Sequence, residues 1–94
     1  MTYELIFKSE ALDEWKKLDN SIKLQLKKVL FKRLENPRIE SAKLSGMQDC
    51  YKIKLRTTGY RLVYQVKDDV ITVIVIAVGR RDKNSVYENA IKRL

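Results

Sequence analysis

The first third of the chain has apolar residues at strand and then helical spacing. TYELIFK, residues 2–8, is rich in aromatic and β-branched residues and predicts a strand. Apolar residues then recur at helical spacing after Ser9, a good N-cap, and a second helical run lies between Ser21 and Asn36. Pro37 ends that run, because the residue before a proline disfavours the helical region. The pattern predicts an N-terminal helical hairpin.

The rest of the chain predicts three strands and a final helix. The strands lie at about 50–56, 60–67 and 70–79. The last strand is apolar on both faces, so it should be central and covered on both sides. Asp68-Asp69 predicts a two-residue turn before it, and an apolar stripe from Val86 to Leu94 predicts a C-terminal helix.

The resulting order is β-α-α-β-β-β-α. Strands and helices in separate runs are typical of an α+β fold, here with a largely antiparallel four-stranded sheet. We expect residues 1–94 to form a single domain, since their number is ordinary for one.

The hairpin within YKIKLRTTGYRLVYQV has two plausible registers. A three-residue loop, 57–59, sets Arg56 opposite Tyr60 and mixes cations with apolar residues on each face. A four-residue loop, 57–60, sets Arg56 opposite Arg61 and Lys54 opposite Val63. One face is then apolar, and the other carries Lys52, Lys54, Arg56, Arg61 and Gln65. A one-residue slip moves every side chain to the other face, so burial favours the four-residue loop.

A face of cations is costly, because like charges on neighbouring strands repel one another. Such a face suggests an anionic ligand. The alternative is a solvated outer face whose lysines prevent edge-to-edge aggregation. Thr72 and three apolar residues of the central strand, at 74, 76 and 78, are expected to continue the cationic face. Arg61 should lie beside the end of that strand, which predicts a cluster of Lys52, Lys54, Arg61 and Arg81.

The overall charge supports an anionic partner. The net charge is +8, and the excess of cations lies between residues 21 and 67. Such a field favours nucleic acid, although an acidic protein would use it too. The chain has no histidine and one cysteine, which excludes Ser-His-Asp, Cys-His and paired-histidine catalysis and argues against a zinc site. We expect no cofactor or metal, and a cytoplasmic protein.

RNA cleavage is compatible with this residue set, because RNA carries its own nucleophile, the 2′-OH. The reaction needs in-line geometry, cations around the developing phosphorane, a base and an acid. Tyr87 is a candidate base, although its place on an apolar stripe alone favours a core residue. Arg81 suits electrostatic support of the leaving oxygen, because arginine effectively never loses its proton.

The run YKIKLRTTGYRLVYQV, together with VGRR and SVYENAIKRL, resembles the RelE/ParE toxin superfamily, and within it the RelE group. The resemblance covers essentially the whole chain and implies a RelE-like, microbial-ribonuclease-like fold. It implies a toxin of a type II toxin–antitoxin system, which cuts mRNA in the ribosomal A site by 2′-OH attack, without a metal. The implied partners are a RelB-like antitoxin, the 70S ribosome with its mRNA, and operator DNA, which the toxin–antitoxin complex would bind as a transcriptional co-repressor.

The family's working residues match this sequence one at a time. The resemblance implies a catalytic set of Lys52, Lys54, Arg61, Arg81 and Tyr87. The tyrosine would act as general base, helped by the lysines, and Arg81 as acid or leaving-group stabiliser. Ser45 stands where RelE toxins carry an arginine, which puts one contact to ribosomal RNA in doubt.

Other cations are expected to contact RNA or the ribosome. They are Lys23, Lys27, Lys28, Lys32, Arg33, Lys43, Arg56 and Arg80. Two alternatives to the ribonuclease remain open at this point. One is a ParE-like gyrase poison that shares the fold without the catalytic set. The other is an interaction protein that acts only with its antitoxin as a repressor.

Overall fold

A computed structural model of the chain describes residues 2–80 and 85–94. The regular elements are β1 (Glu4–Phe7), α1 (Ser9–Lys16), α2 (Asn20–Glu35), β2 (Cys50–Leu55), β3 (Tyr60–Lys67), β4 (Thr72–Arg80) and α3 (Ser85–Arg93). Single 3₁₀ turns lie at Glu40–Ala42 and Asp68–Val70. The element order confirms the α+β prediction. In the described part of the chain, no helix has the length and apolar character needed to span a membrane.

The four strands form one sheet in the order β1-β4-β3-β2. β1 runs parallel to β4, and the two other pairings are antiparallel. One apolar cluster joins one face of the sheet to α1 and α2, and a second joins the opposite face to α3. The prediction that the last strand is central and covered on both sides is therefore confirmed.

Two local predictions are wrong. Lys8, not Ser9, is the N-cap of α1, and the Ser9 hydroxyl donates to Glu10 Oε1 at 3.2 Å. The turn between β3 and β4 is not the two-residue Asp68-Asp69 loop. It is a 3₁₀ turn followed by Ile71 in the left-handed region, with φ of 48°, so β4 begins two residues later than predicted.

A tertiary interaction explains the longer turn. The Asp68 carboxylate accepts hydrogen bonds from the Tyr3 hydroxyl at 2.6 Å and from Arg38 Nη2 at 2.6 Å. These bonds tie the turn to the start of β1 and to the connector after α2. Such partners are distant in sequence, so a local turn pattern could not indicate them.

The hairpin between β2 and β3 has a four-residue loop, as predicted, but the loop comprises residues 56–59. Gly59 closes it with a φ of 78°, a conformation that costs glycine little, and its N–H donates to the Leu55 carbonyl at 2.8 Å. Tyr60 therefore belongs to the strand and pairs with Leu55.

The predicted cross-strand pairs are consequently wrong, whereas the predicted faces are right for the residues within β2 and β3. Lys54 lies opposite Arg61 rather than Val63, and Arg56 lies in the loop rather than opposite Arg61. The displacement is two residues, and an even displacement leaves every side chain on its face. Residues 51, 53, 62, 64 and 66 accordingly belong to the apolar cluster on the α1–α2 side.

A β-bulge in β4 changes the alternation that the sequence predicted. Val63 pairs with Ala77 and Tyr64 with Val75, which leaves Ile76 as an extra residue. Beyond the bulge the faces exchange, so Val78 belongs to the cluster on the α1–α2 side, not to the cationic face as predicted. Gly79 is then the residue that pairs with Arg61.

Candidate active site

A groove of about 560 Å³ lies where β2 and β3 meet α3. It is lined by Leu44, Ser45, Met47, Lys52, Lys54, Arg61, Tyr87 and Ile91. Four of the five predicted catalytic residues are therefore brought together, although they come from two strands and a helix. The fifth, Arg81, lies outside the described residues.

The β2–β3 register concentrates positive charge in this groove. Lys54 is opposite Arg61, and Lys52 lies two residues earlier on the same face. Arg61 is only 7% exposed, and its Nη1 donates to the Tyr60 carbonyl at 3.1 Å. Across residues 2–80 and 85–94 no carboxylate forms an ion pair with Arg61, and none lines the groove. A buried charge normally has a partner of opposite sign, so an anion in the groove would supply the partner that Arg61 lacks among these residues.

Mutual repulsion affects the protonation of Lys54. The neighbouring Lys52 charge lowers the pKa of Lys54 below its ordinary value, and Arg61 and Arg56 act in the same direction. A lowered pKa brings an ammonium group closer to proton exchange at neutral pH, which is a property of many functional lysines.

Tyr87 packs against the core and also lines the groove. Its ring is half-buried against the apolar cluster that contains Val86 and Ala90, and it also lines the groove. The helix thus places Tyr87 in the lining of the groove while this residue contributes to the core. A side chain that packs on one side and reaches polar groups on the other is ordinary for tyrosine.

Sequence reasoning missed the apolar wall of the groove, formed by Leu44, Met47 and Ile91. Ile91 follows Tyr87 by four residues, so both occupy one side of α3. That spacing was a usable signal. Leu44 and Met47 lie in the connector before β2, where the sequence shows no regular period.

The predicted RNA-contacting cations fall into separate groups. Arg33 and Arg56 line a second groove, of about 300 Å³, which also includes Lys52 and Lys54. Arg33 has structural contacts as well, because its Nη1 donates to the Lys52 carbonyl at 3.2 Å and to the Tyr64 hydroxyl at 2.9 Å.

The remaining cations lie apart from both grooves. Lys23, Lys27, Lys28 and Lys32 lie on α2, where the last three are exposed. Lys43 is exposed, and its backbone forms an isolated antiparallel β-bridge with Tyr51 at the outer edge of β2. Arg80 lies with its guanidinium carbon 5.9 Å from the centre of the Tyr60 ring.

Chain-wide comparisons identify relatives of this protein. The family model described as the ParE toxin of type II toxin–antitoxin systems matches residues 5–85. The mRNA interferase toxin RelE of Escherichia coli is 56% identical over 94 residues, which are 100% of this chain and 99% of that protein. A putative RelE-like toxin, also from Escherichia coli, is 51% identical over the same length.

Solved structures agree with the sequence comparison. A mutant of the E. coli toxin RelE in the free state superposes with a TM-score of 0.93 at 55% identity, covering 100% of this chain and 99% of that chain. The toxin in the intact E. coli RelBE toxin–antitoxin complex gives a TM-score of 0.83 at 57% identity, covering 85% of this chain and 98% of that one.

Proposed function

This chain belongs to the ParE toxin family of type II toxin–antitoxin systems, with RelE-like sequence over its full length, and we propose that it is a toxin that cuts mRNA on the ribosome. The observation that carries the proposal is the charge of the groove. Lys52, Lys54 and Arg61 converge beside Tyr87, and among the residues that the structure describes no carboxylate lines the groove. A phosphodiester of RNA supplies the anion that this arrangement lacks, and its 2′-OH supplies the nucleophile.

In the proposed reaction, the 2′-oxygen attacks the adjacent phosphorus and the bond to the 5′-oxygen breaks. The products are a 2′,3′-cyclic phosphate and a new 5′-hydroxyl. Tyr87, in its deprotonated tyrosinate form, accepts the proton of the 2′-OH, and the leaving 5′-oxygen takes a proton from Lys54 or from water. Lys52 and Arg61 stabilise the charge that develops on the phosphorane, which is worth most in a site where donors are held in advance. Arg81 supports the leaving 5′-oxygen.

Lys54 has a further role in this proposal. Its lowered pKa, caused first by Lys52, lets it exchange a proton more readily than an ordinary lysine does. It can therefore assist Tyr87 in removing the proton, or deliver a proton to the leaving oxygen.

We propose that the ribosome completes this site. A tyrosine and several cations, without histidine, are poorly matched to acid–base catalysis at neutral pH. Alignment must therefore contribute much of the rate, and good alignment is worth about 7–11 kcal/mol. A codon held in the decoding site is aligned in advance, whereas free single-stranded RNA is flexible. The exposed lysines of α2 and the second groove dock on ribosomal phosphates in this scheme.

The same positive surface suits an antitoxin. The E. coli relative was solved in a RelBE complex, and we propose a RelB-like antitoxin for this chain, with acidic segments laid over the cationic surface. Such association should be fast and sensitive to salt. The complex, rather than the toxin alone, would bind operator DNA and repress transcription.

The decisive experiment compares two substrates under single-turnover conditions at equal ionic strength. One is mRNA programmed in ribosomes with an empty A site, and the other is the same RNA free in solution. We expect rapid cleavage of the first and almost none of the second. Rates within about tenfold, which is only about 1.4 kcal/mol, would contradict ribosome dependence. DNA breaks with intact mRNA would instead indicate a gyrase poison.

A further inference from the structure

The last part of β4 extends beyond β1, although β3 continues beside it. β1 pairs with β4 only as far as Phe7, opposite Val75, and the bulge leaves Ile76 without a partner in β3. Backbone amides and carbonyls in the interior require hydrogen-bonding partners. The Ile76 carbonyl and the Val78 amide are such groups, and they find their partners in side chains from two helices.

Glu14 of α1 and Arg93 of α3 supply these partners. Arg93 Nη1 donates to the Ile76 carbonyl at 3.0 Å, and Glu14 Oε1 accepts from the Val78 N–H at 3.2 Å. The two side chains also bind each other through paired hydrogen bonds of 2.8 and 3.1 Å. They are only 27% and 15% exposed, respectively. Paired arginine–carboxylate bonds of this kind fix orientation as well as distance.

The Glu14–Arg93 pair links the end of α3 to α1 and to β4. Arg93 is the last residue of that helix. At the other end, a Cβ on Gly79 would come within 3.2 Å of Val86 Cγ2, so the first turn lies directly on β4. Apolar contact along α3 is narrow, because Val86 and Ala90 are its buried residues and Ile91 is 59% exposed. Tyr87 lies between the two points of attachment.

We propose that Glu14 and Arg93 are positioning residues for Tyr87, which hold α3 at the placement that puts Tyr87 in the lining of the cationic groove. The inference rests on the proposed function for its activity measurement and on the hydrogen bonds alone for its structural measurement. Neither residue lines the groove, so both act through the helix rather than on the substrate.

The activity test uses single-turnover cleavage on programmed ribosomes, with toxin concentration varied. Arg93→Gln removes the charge, and Glu14→Gln removes the ion pair while keeping an oxygen for the Val78 amide. For each we expect a limiting rate about 10- to 100-fold lower, since small misplacements in a site have effects of that size, with an unchanged half-saturating concentration. Arg93→Lys should recover part of the rate. Lys92→Gln removes a charge from the adjacent exposed position and should cleave like the wild type.

A second measurement does not depend on activity. Hydrogen exchange of the α3 amides reports how firmly the helix is attached, and amides of β3 and β4 other than that of Val78 report the global fold. In Arg93→Gln and Glu14→Gln we expect faster exchange in α3 with little change in the strands. Lys92→Gln should leave both unchanged. If exchange in the strands also becomes faster in Arg93→Gln, the exchange of the milder variant Glu14→Gln tests the inference instead.

Three outcomes would overturn the inference. A folded Arg93→Gln protein that cleaves at the wild-type limiting rate would show that the pair does not position Tyr87. A loss confined to the half-saturating concentration would place Arg93 in ribosome contact instead. Unchanged exchange of α3 in both variants would show that other contacts hold the helix, whether or not the protein cleaves mRNA. Faster exchange in a protein whose wild type never cleaves would contradict the proposed function alone.

Discussion

Lys54 and Arg61 lie directly opposite each other on antiparallel strands of the sheet. Cross-strand neighbours of like charge destabilise a sheet, and Arg61 is buried as well. The free protein thus carries an arrangement that is unfavourable for folding alone, and a bound phosphodiester would relieve the repulsion. Removal of one of the two charges should therefore affect stability and activity in opposite directions.

Lys54→Met should raise the Tm of the free protein and lower the rate of mRNA cleavage by about 10²- to 10³-fold. The first effect follows from relief of repulsion, and the second from loss of a cation at the reacting phosphate. Thermal unfolding and single-turnover cleavage measure the two quantities. A variant with lower Tm and full activity would contradict the assignment of Lys54 to the site.

The lowered pKa of Lys54 also gives a pH dependence. Between that lowered pKa and the ordinary lysine value of about 10.4, the unfolded chain binds more protons than the folded one at this residue. The contribution of Lys54 to the free energy of unfolding therefore increases as pH rises through that window. Denaturant unfolding at pH 7 to 10 should show the increase in the wild type and a smaller one in Lys54→Met. Equal slopes would exclude the coupling.

Tyr87→Phe should leave the fold intact and lower the cleavage rate by about 10²- to 10⁴-fold, the usual effect of losing a positioned base. The ring still packs against the α3-side cluster, so the Tm should change little. Tyr60→Phe is the matched control, because that ring is on the opposite side of the sheet. Wild-type cleavage by Tyr87→Phe in single-turnover assays would return this residue to a purely packing role.

Asp68 should be important for stability in the neutral range. Hydrogen bonds from Tyr3 and Arg38 lower the pKa of this carboxyl, so its contribution is present above the ordinary aspartate pKa of about 3.9 and is lost as pH falls through the lowered value. Asp68→Asn should therefore lower the free energy of unfolding at pH 7 more than Asp69→Asn, its exposed neighbour. The difference between the two should shrink in acid. Equal stabilities at pH 7 would show that these bonds contribute nothing.

Ser45→Arg should strengthen binding to the ribosome. The uncharged side chain of Ser45 lines the groove. An arginine at this position can contact one further phosphate. Each such contact steepens the dependence of affinity on salt by about one unit of the log–log slope. Ribosome-binding titrations between about 50 and 200 mM salt measure this slope. Ser45→Gln is the uncharged control, and an arginine variant with the control's slope would mean that no phosphate is in reach.

Alternation along the chain was enough to predict the cationic face. Period-two spacing in β2 and β3 assigns Lys52, Lys54 and Arg61 to one side of the sheet. The assignment holds for every pair of registers that differ by an even number of residues. The sequence also predicted the element order, the central position of β4 and the helix that bears Tyr87. Each of these depends on the local spacing of apolar residues.

Tertiary structure decided what local spacing could not. The hairpin loop begins at Arg56 because Gly59 can take a positive φ, and the bulge at Ile76 exchanges the faces of β4 just before Gly79. The partners of that bulge, Glu14 and Arg93, are separated by most of the chain. Sequence periodicity records which face a residue occupies, since that depends on its immediate neighbours. It does not record which distant side chain completes a hydrogen bond, because that depends on how the finished elements pack.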